Sequence, residues 1–271
     1  MSKWLKVAVF AALLMGAGYF FGRTCGQIGQ AYELILAPSG ELLTLLLWFL
    51  LALGAVLVSA GLIAALLRPV WVGFIAFALS GLSMLLGWQV TVGSGILVLV
   101  YLLAASFYAV GVARELDERI RFSVRPISEG QGILLMALIL VACGSLYLGY
   151  AAHIEREGFS VPEFYIEMFM EQMEEQVETR VPAEERQEAV AKFREEFRRA
   201  VGGILERTIK PYERFIPLAI AVGLLMSLVT ITSLLAWVPT LALSVIFRLL
   251  TALGVTKVVT ETQEVQRLII D

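Results

Sequence analysis

The chain alternates long apolar blocks with shorter polar connections. Six of the blocks continue for about the 20 residues that an α-helix needs to cross the hydrocarbon core of a bilayer. Their apolar residues surround the helix instead of forming one stripe, which is typical of a helix buried among lipids or other helices. The pattern therefore predicts six membrane-spanning helices. The predicted spans are Trp4–Gly22, Leu42–Leu67, Val70–Trp88, Gly95–Ala113, Ile133–Ala152 and Phe215–Trp237.

The composition indicates the same class of protein. Hydrophobic residues make up 59% of the 271 residues and charged residues 17%, whereas a soluble domain has about 45–50% apolar and about 25% charged residues. We therefore predict an all-α integral membrane protein, a bundle of six transmembrane helices with membrane lipids as partners. The net charge of −3 and the lack of a basic tract argue against a nucleic-acid partner.

Basic residues are concentrated in alternate connections, which indicates the orientation of the bundle. Lys3 and Lys6 precede the first span, Arg68 separates the second from the third, and Arg114–Arg125 connects the fourth to the fifth. We expect these connections and the N terminus to be cytoplasmic, with the protein in the cell membrane. No clean small-residue cleavage pattern follows the first span, so we expect that span to be retained.

The one large polar segment, residues 153–214, is predicted to form an extracytoplasmic helical hairpin. Ser160–Glu163 has the capping residues and the proline typical of a helix start, and apolar residues then recur every four positions. A turn follows at Val181–Ala183, and a second amphipathic helix occupies Val190–Ile204. Two interpretations remain open: the hairpin packs on itself and on the ends of the spans, or it is a docking surface for another protein.

The first turns of this hairpin are the candidate docking surface. They are rich in phenylalanine and methionine, and methionine is an adaptable side chain that recurs on surfaces that accept varied partners. The predicted partner would be another membrane protein or an extracytoplasmic protein. The candidate partner-binding residues are Phe164, Met168, Phe169 and Met173.

The apolar stretch Val238–Val255 is ambiguous. Its polar residues form one helical stripe, namely Thr240, Ser244, Arg248 and Thr251. An arginine at the membrane centre costs about 2.5–3.5 kcal/mol, and a helix in the plane of the interface avoids that cost. We favour the in-plane helix. A seventh span, with Arg248 facing the bundle or a solute pathway, is the alternative. Arg119 and Arg121 are expected to contact lipid phosphates in the cytoplasmic connection.

The chain is therefore divided into four regions. They are a five-helix region at 1–152, the hairpin at 153–214, the sixth span at 215–237, and the C-terminal helix with a polar tail at 238–271.

Three glycines in and just beyond the first span are spaced by four residues. Gly18, Gly22 and Gly26 leave one helix face without side chains, which permits close contact with another helix. The pattern predicts a packing face, either within the chain or between two copies in a homo-oligomer.

The predicted spans lack the residues that membrane enzymes and ion-coupled carriers usually need. Their middle thirds contain no Asp, Glu, Lys, Arg or His. His153 is the one histidine, and Cys25 and Cys143 are the two cysteines, so no metal-ligand cluster or acid–base set is evident. We expect a protein that is not an enzyme and has no catalytic residues, metal or cofactor.

Two functions are compatible with these observations. The first is a non-enzymatic membrane protein that acts in interaction or assembly through the outer hairpin. The second is a channel or carrier for a small neutral or weakly charged solute, for which hydroxyl-bearing residues in the spans and Arg248 would form the pathway.

Overall fold

A computed structural model describes residues 3–32, 40–67, 69–118, 125–158, 196–197 and 210–255. Within these ranges the chain is helical and contains no strand, which confirms the all-α fold. The helices are α1 (Lys3–Gln30), α2 (Gly40–Leu66), α3 (Val70–Gly87), α4 (Val92–Glu118), α5 (Arg125–Glu157), α6 (Ile216–Leu234) and α7 (Trp237–Ala252). A 3-10 turn at Lys210–Phe215 precedes α6.

Six of these helices are long and apolar enough to cross a membrane, which confirms the predicted number of spans. Two of them extend well beyond the predicted limits: α1 continues to Gln30, and α5 begins at Arg125. The sequence pattern missed these turns because they contain polar residues. Cys25 and Ile28 are nevertheless buried in the extended part of α1, and Ile127 is buried in that of α5.

Helix α1 lies at the centre of the packing and contacts α2, α3 and α5. Its contact with α3 brings the two backbones together. A Cβ atom at Gly18 would collide with Ser80, and one at Gly22 would collide with the backbone of Met84. Gly87 of α3 makes the reciprocal contact, because a Cβ there would collide with the backbone of Tyr19. Only glycine allows helices to approach this closely.

A second glycine contact joins α1 to α5. A Cβ atom at Gly149 of α5 would collide with the backbone of Gly29. One turn earlier along both helices, Ser145 Oγ donates a hydrogen bond to the backbone oxygen of Cys25. Helix α1 is therefore held against α3 along its middle and against α5 near its C-terminal end.

The outward faces of the bundle are apolar. Leu47 and Leu51 of α2 are 67% and 59% exposed, and Ile96 of α4 and Met226 of α6 are also exposed. A surface of this kind is stable in contact with lipid hydrocarbon and would aggregate in water. The protein is therefore a multi-pass membrane protein.

Helix α7 contacts one end of the bundle only. The hydroxyls of Thr240 and Ser128 are hydrogen bonded, and Ser128 lies in the first turn of α5. Leu243 packs against Gly61, near the C-terminal end of α2. Beyond the helix, the backbone oxygen of Val255 accepts a 2.7 Å hydrogen bond from Nζ of Lys6, in the first turn of α1. Helix α7 thus passes across the ends of three helices.

The close contact between α1 and α3 can be tested by adding a single methyl group. Gly22→Ala would place a Cβ atom in the backbone of Met84, whereas Gly16→Ala places it in open space on the same helix. Alanine favours a helix over glycine by about 1 kcal/mol, so we expect Gly16→Ala to retain or slightly raise the thermal stability. Gly22→Ala should lower the stability by the roughly 1–3 kcal/mol that is typical of overpacking.

The measurement is the temperature at which the detergent-solubilised protein loses its monodisperse peak in size-exclusion chromatography. If Gly22→Ala and Gly16→Ala lose the peak at the same temperature, the backbones of α1 and α3 are not in close contact.

Candidate functional site

A cavity of about 720 Å³ lies at the end of the bundle opposite α7. Its walls are the C-terminal ends of α1 and α5 and the connection between α3 and α4. This volume is within the range of about 300–1,000 Å³ that small-molecule sites have in proteins. The polar residues of the walls are Gln30, Tyr32, Gln89, Thr91, Ser145, His153, Arg156 and Glu157.

The connection between α3 and α4 is fixed by two hydroxyl side chains. The backbone nitrogen of Thr91 donates to Ser94 Oγ at 2.8 Å, and the backbone nitrogen of Ser94 donates to Thr91 Oγ1 at 3.1 Å. Ser94 Oγ also donates to the backbone oxygen of Gln89 at 2.8 Å. These reciprocal bonds satisfy backbone groups at the start of α4 and hold this wall of the cavity in place.

An aromatic cluster stands between α1 and α5 at the cavity wall. The ring of Tyr32 stacks on Tyr150 at a centroid distance of 4.9 Å and on His153 at 4.5 Å. The Tyr32 hydroxyl and His153 Nδ1 are hydrogen bonded at 3.0 Å. Glu157 lies one turn further along α5, with Oε1 3.7 Å from the same nitrogen. The imidazole therefore has a phenol and a carboxylate on one side.

The chain leaves and re-enters the bundle beside this cluster. Gly158 ends α5 with a φ of 76°, a left-handed conformation that favours glycine, and its nitrogen donates to Ile154 oxygen at 2.9 Å. A Cβ atom at Gly158 would lie 3.7 Å from Oε1 of Glu213, just before α6. The two ends of the polar segment are therefore neighbours.

The contact between α1 and α5 borders the cavity, since Gly29, Ser145 and Gly149 line it. Gly29 and Gly149 meet there, and Ser145 binds the backbone of Cys25. Further inside, polar side chains connect helices to one another. Ser80 Oγ donates to Leu14 oxygen at 3.2 Å, and Gln131 Nε2 donates to Leu57 oxygen at 3.0 Å.

These interior groups are used for packing. Tyr101 donates to Ser80 Oγ, and Tyr108 donates to the backbone oxygen of Ile127. Among the described residues, no buried side-chain nitrogen or oxygen atom lacks a hydrogen-bond partner. In the same part of the chain, no three His, Cys, Asp or Glu side chains come together as metal ligands.

The sequence-predicted site residues lie in different places. Gly18 and Gly22 face α3, and Gly26 borders the cavity beside Trp88. Arg248 is exposed on α7 and lines neither this cavity nor a second one between α2 and α5. The other candidates lie outside the described residues. They are Arg119, Arg121, Phe164, Met168, Phe169 and Met173.

Sequence reasoning missed the two tyrosines of the aromatic cluster. Tyr150 lies one turn before His153, but no periodic pattern indicates a function for that pair. Tyr32 lies ten residues beyond the predicted end of the first span and 121 residues from His153. Its place in the cluster depends on the extension of α1 beyond Gly22. The polar residues in that extension interrupt the apolar pattern, so the sequence did not predict it.

Comparison of the chain with protein families, with curated proteins and with solved structures finds no match.

The hydrogen bond between Tyr32 and His153 can be tested with a single nuclear magnetic resonance label. Because the chain has one histidine, ¹⁵N-histidine labelling gives one imidazole signal, provided that the affinity tag contains no histidine. We expect Tyr32→Phe to shift the Nδ1 resonance and to cost about 0.5–1.5 kcal/mol of stability. Tyr147 is an exposed tyrosine of α5, the helix that carries His153, and Tyr147→Phe should leave that resonance unchanged. Equal spectra for both variants would show that the phenol does not bind the imidazole.

Proposed function

We propose that the protein is a non-enzymatic membrane protein that acts in interaction or assembly, through the segment between α5 and α6. The observation that carries this proposal is the proximity of the two ends of the segment. Gly158 and Glu213 are neighbours, so the residues between them leave and return at one place. A segment inserted in this way can bind a partner without changing how the spans are connected.

The length of α5 supports the same proposal. Its 33 residues correspond to about 50 Å of helix, and the hydrocarbon core of a bilayer is about 30 Å thick. The helix therefore continues beyond the membrane. Its last turns carry His153, Arg156 and Glu157 beside Tyr32. These contacts fix the position of the helix end from which the inserted segment starts.

In the proposed orientation, the C-terminal end of α5 lies outside the cell. Lys6, near the start of α1, and Arg114, near the end of α4, lie at the same end of the bundle, and basic residues near span ends stay cytoplasmic. The Tyr32–His153 cluster lies at the opposite end, and the Phe- and Met-rich turns of the hairpin would follow directly after it.

The alternative, a channel or carrier for a small solute, has the cavity beside Tyr32 and His153 in its favour. The interior hydroxyls support the interaction protein over the carrier. Ser80, Tyr101 and Ser145 form hydrogen bonds to other helices, so these hydroxyls are not available to a solute. A protein reconstituted in vesicles that transports a solute, and loses this transport when His153 in the cavity wall is replaced by alanine, would favour the carrier.

The proposed docking surface can be tested by replacing its apolar side chains. The test variant combines Phe164→Ser, Met168→Gln and Phe169→Ser. We expect it to lose a stoichiometric protein partner by about tenfold or more, because loss of an interface anchor costs at least about 2 kcal/mol. The measurement is quantitative mass spectrometry of proteins cross-linked to the chain in its native membrane.

A matched control changes the acidic residues of the same predicted helix, with Glu163→Gln, Glu167→Gln and Glu171→Gln. This control should retain the partner, and both variants should elute as the wild type does in size-exclusion chromatography. A partner that stays bound to the Phe and Met variant at wild-type stoichiometry would exclude the first turns of the hairpin as its binding surface.

A further inference from the structure

A second cavity, of about 510 Å³, opens on the side of the bundle. It lies between α2 and α5 and is bordered by the corner where α6 turns into α7. Two glycines create it. Gly54 of α2 and Gly132 of α5 both line the cavity, and a Cβ atom at either position would meet nothing within 4 Å. We call this cavity the lateral groove.

We infer that the lateral groove binds a hydrocarbon chain of a membrane phospholipid, from the leaflet on the side of α7.

The walls of the lateral groove are largely apolar, and their leucines face the bilayer. Leu47, Leu51 and Leu135 line it, and Leu47 and Leu51 are among the most exposed side chains of the membrane-spanning helices. Nothing in the described chain separates them from the surrounding lipid. The polar lining residues Ser128, Glu129, Gln131 and Thr232 belong to α5 and α6. Along the α2 side water would find no hydrogen-bond partners, so hydrocarbon fills that side.

The length of the groove corresponds to one leaflet. Along α2 it extends from Leu47 to Leu57, and ten residues of helix cover about 15 Å. The hydrocarbon core of a bilayer is about 30 Å thick, so one leaflet contributes about the same length. A lipid chain that enters beside α7 would therefore lie along the whole groove.

The position of α7 shows where such a lipid would enter. Leu243 packs at Gly61 of α2, and Val255 is bonded to Lys6 of α1. The ring pair Phe20 and Trp48 fixes the register between α1 and α2, and in that register Lys6 and Gly61 lie at the same level. Leu243 and Val255 are therefore at about the same depth, near the level at which α1 begins.

The outer face of α7 continues the apolar surface of the groove. Val238 lines the groove, and Leu241, Val245 and Leu249 follow it on one exposed helical face. Leu243 and Phe247 are buried against the bundle instead. A helix with one protein-facing side and one exposed apolar side is suited to the edge of the hydrocarbon layer.

The charge of α7 suits a phosphate group at this level. Residues Trp237–Ala252 include Arg248 and no acidic residue, and Arg248 is exposed. The groove itself is lined by Ser128, whose hydroxyl is bonded to Thr240, and by the acidic Glu129, so the phosphate would lie outside the groove, beside Arg248. A phospholipid combines the two chemistries: an apolar chain for the groove and an anionic phosphate for the basic interface.

The two open glycines allow the groove to be filled without disturbing the helix packing. Gly54→Leu combined with Gly132→Leu would place two side chains in the groove. The control, Gly16→Leu combined with Gly111→Leu, adds the same atoms to exposed positions of α1 and α4 that also have nothing within 4 Å. All proteins are purified in mild detergent and analysed by native mass spectrometry for retained phospholipid.

We expect the wild type and the control to retain one phospholipid per chain, and the filled variant to lose it by about tenfold or more. A tenfold loss corresponds to about 1.4 kcal/mol, which is the burial free energy of about two methylene groups of the lipid chain. Retention of the phospholipid by the filled variant would overturn the inference, and so would a wild type that retains none.

A second measurement does not depend on the folding of the variant. Wild-type protein in nanodiscs that contain phosphatidylcholine with a diazirine in its acyl chain is irradiated, and the labelled peptides are mapped. Labelling of Leu50–Leu57 and Leu135 above the level at exposed Leu13 of α1 supports the inference. Equal labelling would assign the groove to bulk lipid and overturn the inference.

Discussion

The close contact of α1 with α3 and α5 is the constraint on which the rest of the bundle depends. Lipid chains are as apolar as leucine side chains, so apolar burial does not drive helices together within the bilayer. Close packing and hydrogen bonds between helices must do so instead. Gly22 and Gly87 bring α1 and α3 to backbone contact, and Gly29 with Gly149 does the same for α1 and α5. Helices α2 and α4 then pack against this group of three.

The interior polar groups follow from the same constraint. A polar atom without a partner in hydrocarbon costs several kcal/mol, so each hydroxyl that lies between helices is a strong restraint on their register. Ser80 connects α1, α3 and α4, because it donates to Leu14 and accepts from Tyr101. Gln131 connects α5 to α2 in the same way. These side chains are uncharged hydroxyls and an amide, and their hydrogen bonds fix the positions of the helices.

The spans could be predicted from the sequence because run length and apolarity depend on local residues alone. The extension of α1 could not be predicted, because the turns after Gly22 contain Arg23, Thr24 and Gln27 and are held by contacts with a helix more than 110 residues away. The cluster of Tyr32 with His153 was missed for the same reason. The glycine spacing indicated close packing correctly at Gly18 and Gly22, but it could not show that α3 is the partner.

Helix α7 shows the limit of periodicity most clearly. Its polar stripe is visible in the sequence. The apolar residues of the helix, however, form two faces, one packed against the bundle and one exposed. Leu243 and Phe247 face the bundle, and Leu241 and Val245 face outward. All four residues are strongly apolar, so hydropathy does not separate them, and only the contacts with Gly61 and Ser128 do. Since Lys6 also holds Val255, α7 ties the N-terminal end of α1 to the start of α5. Tyr32, just beyond the end of α1, is bonded to His153 near the other end of α5. Both ends of the central helix are therefore fixed to the helix that leads into the polar segment.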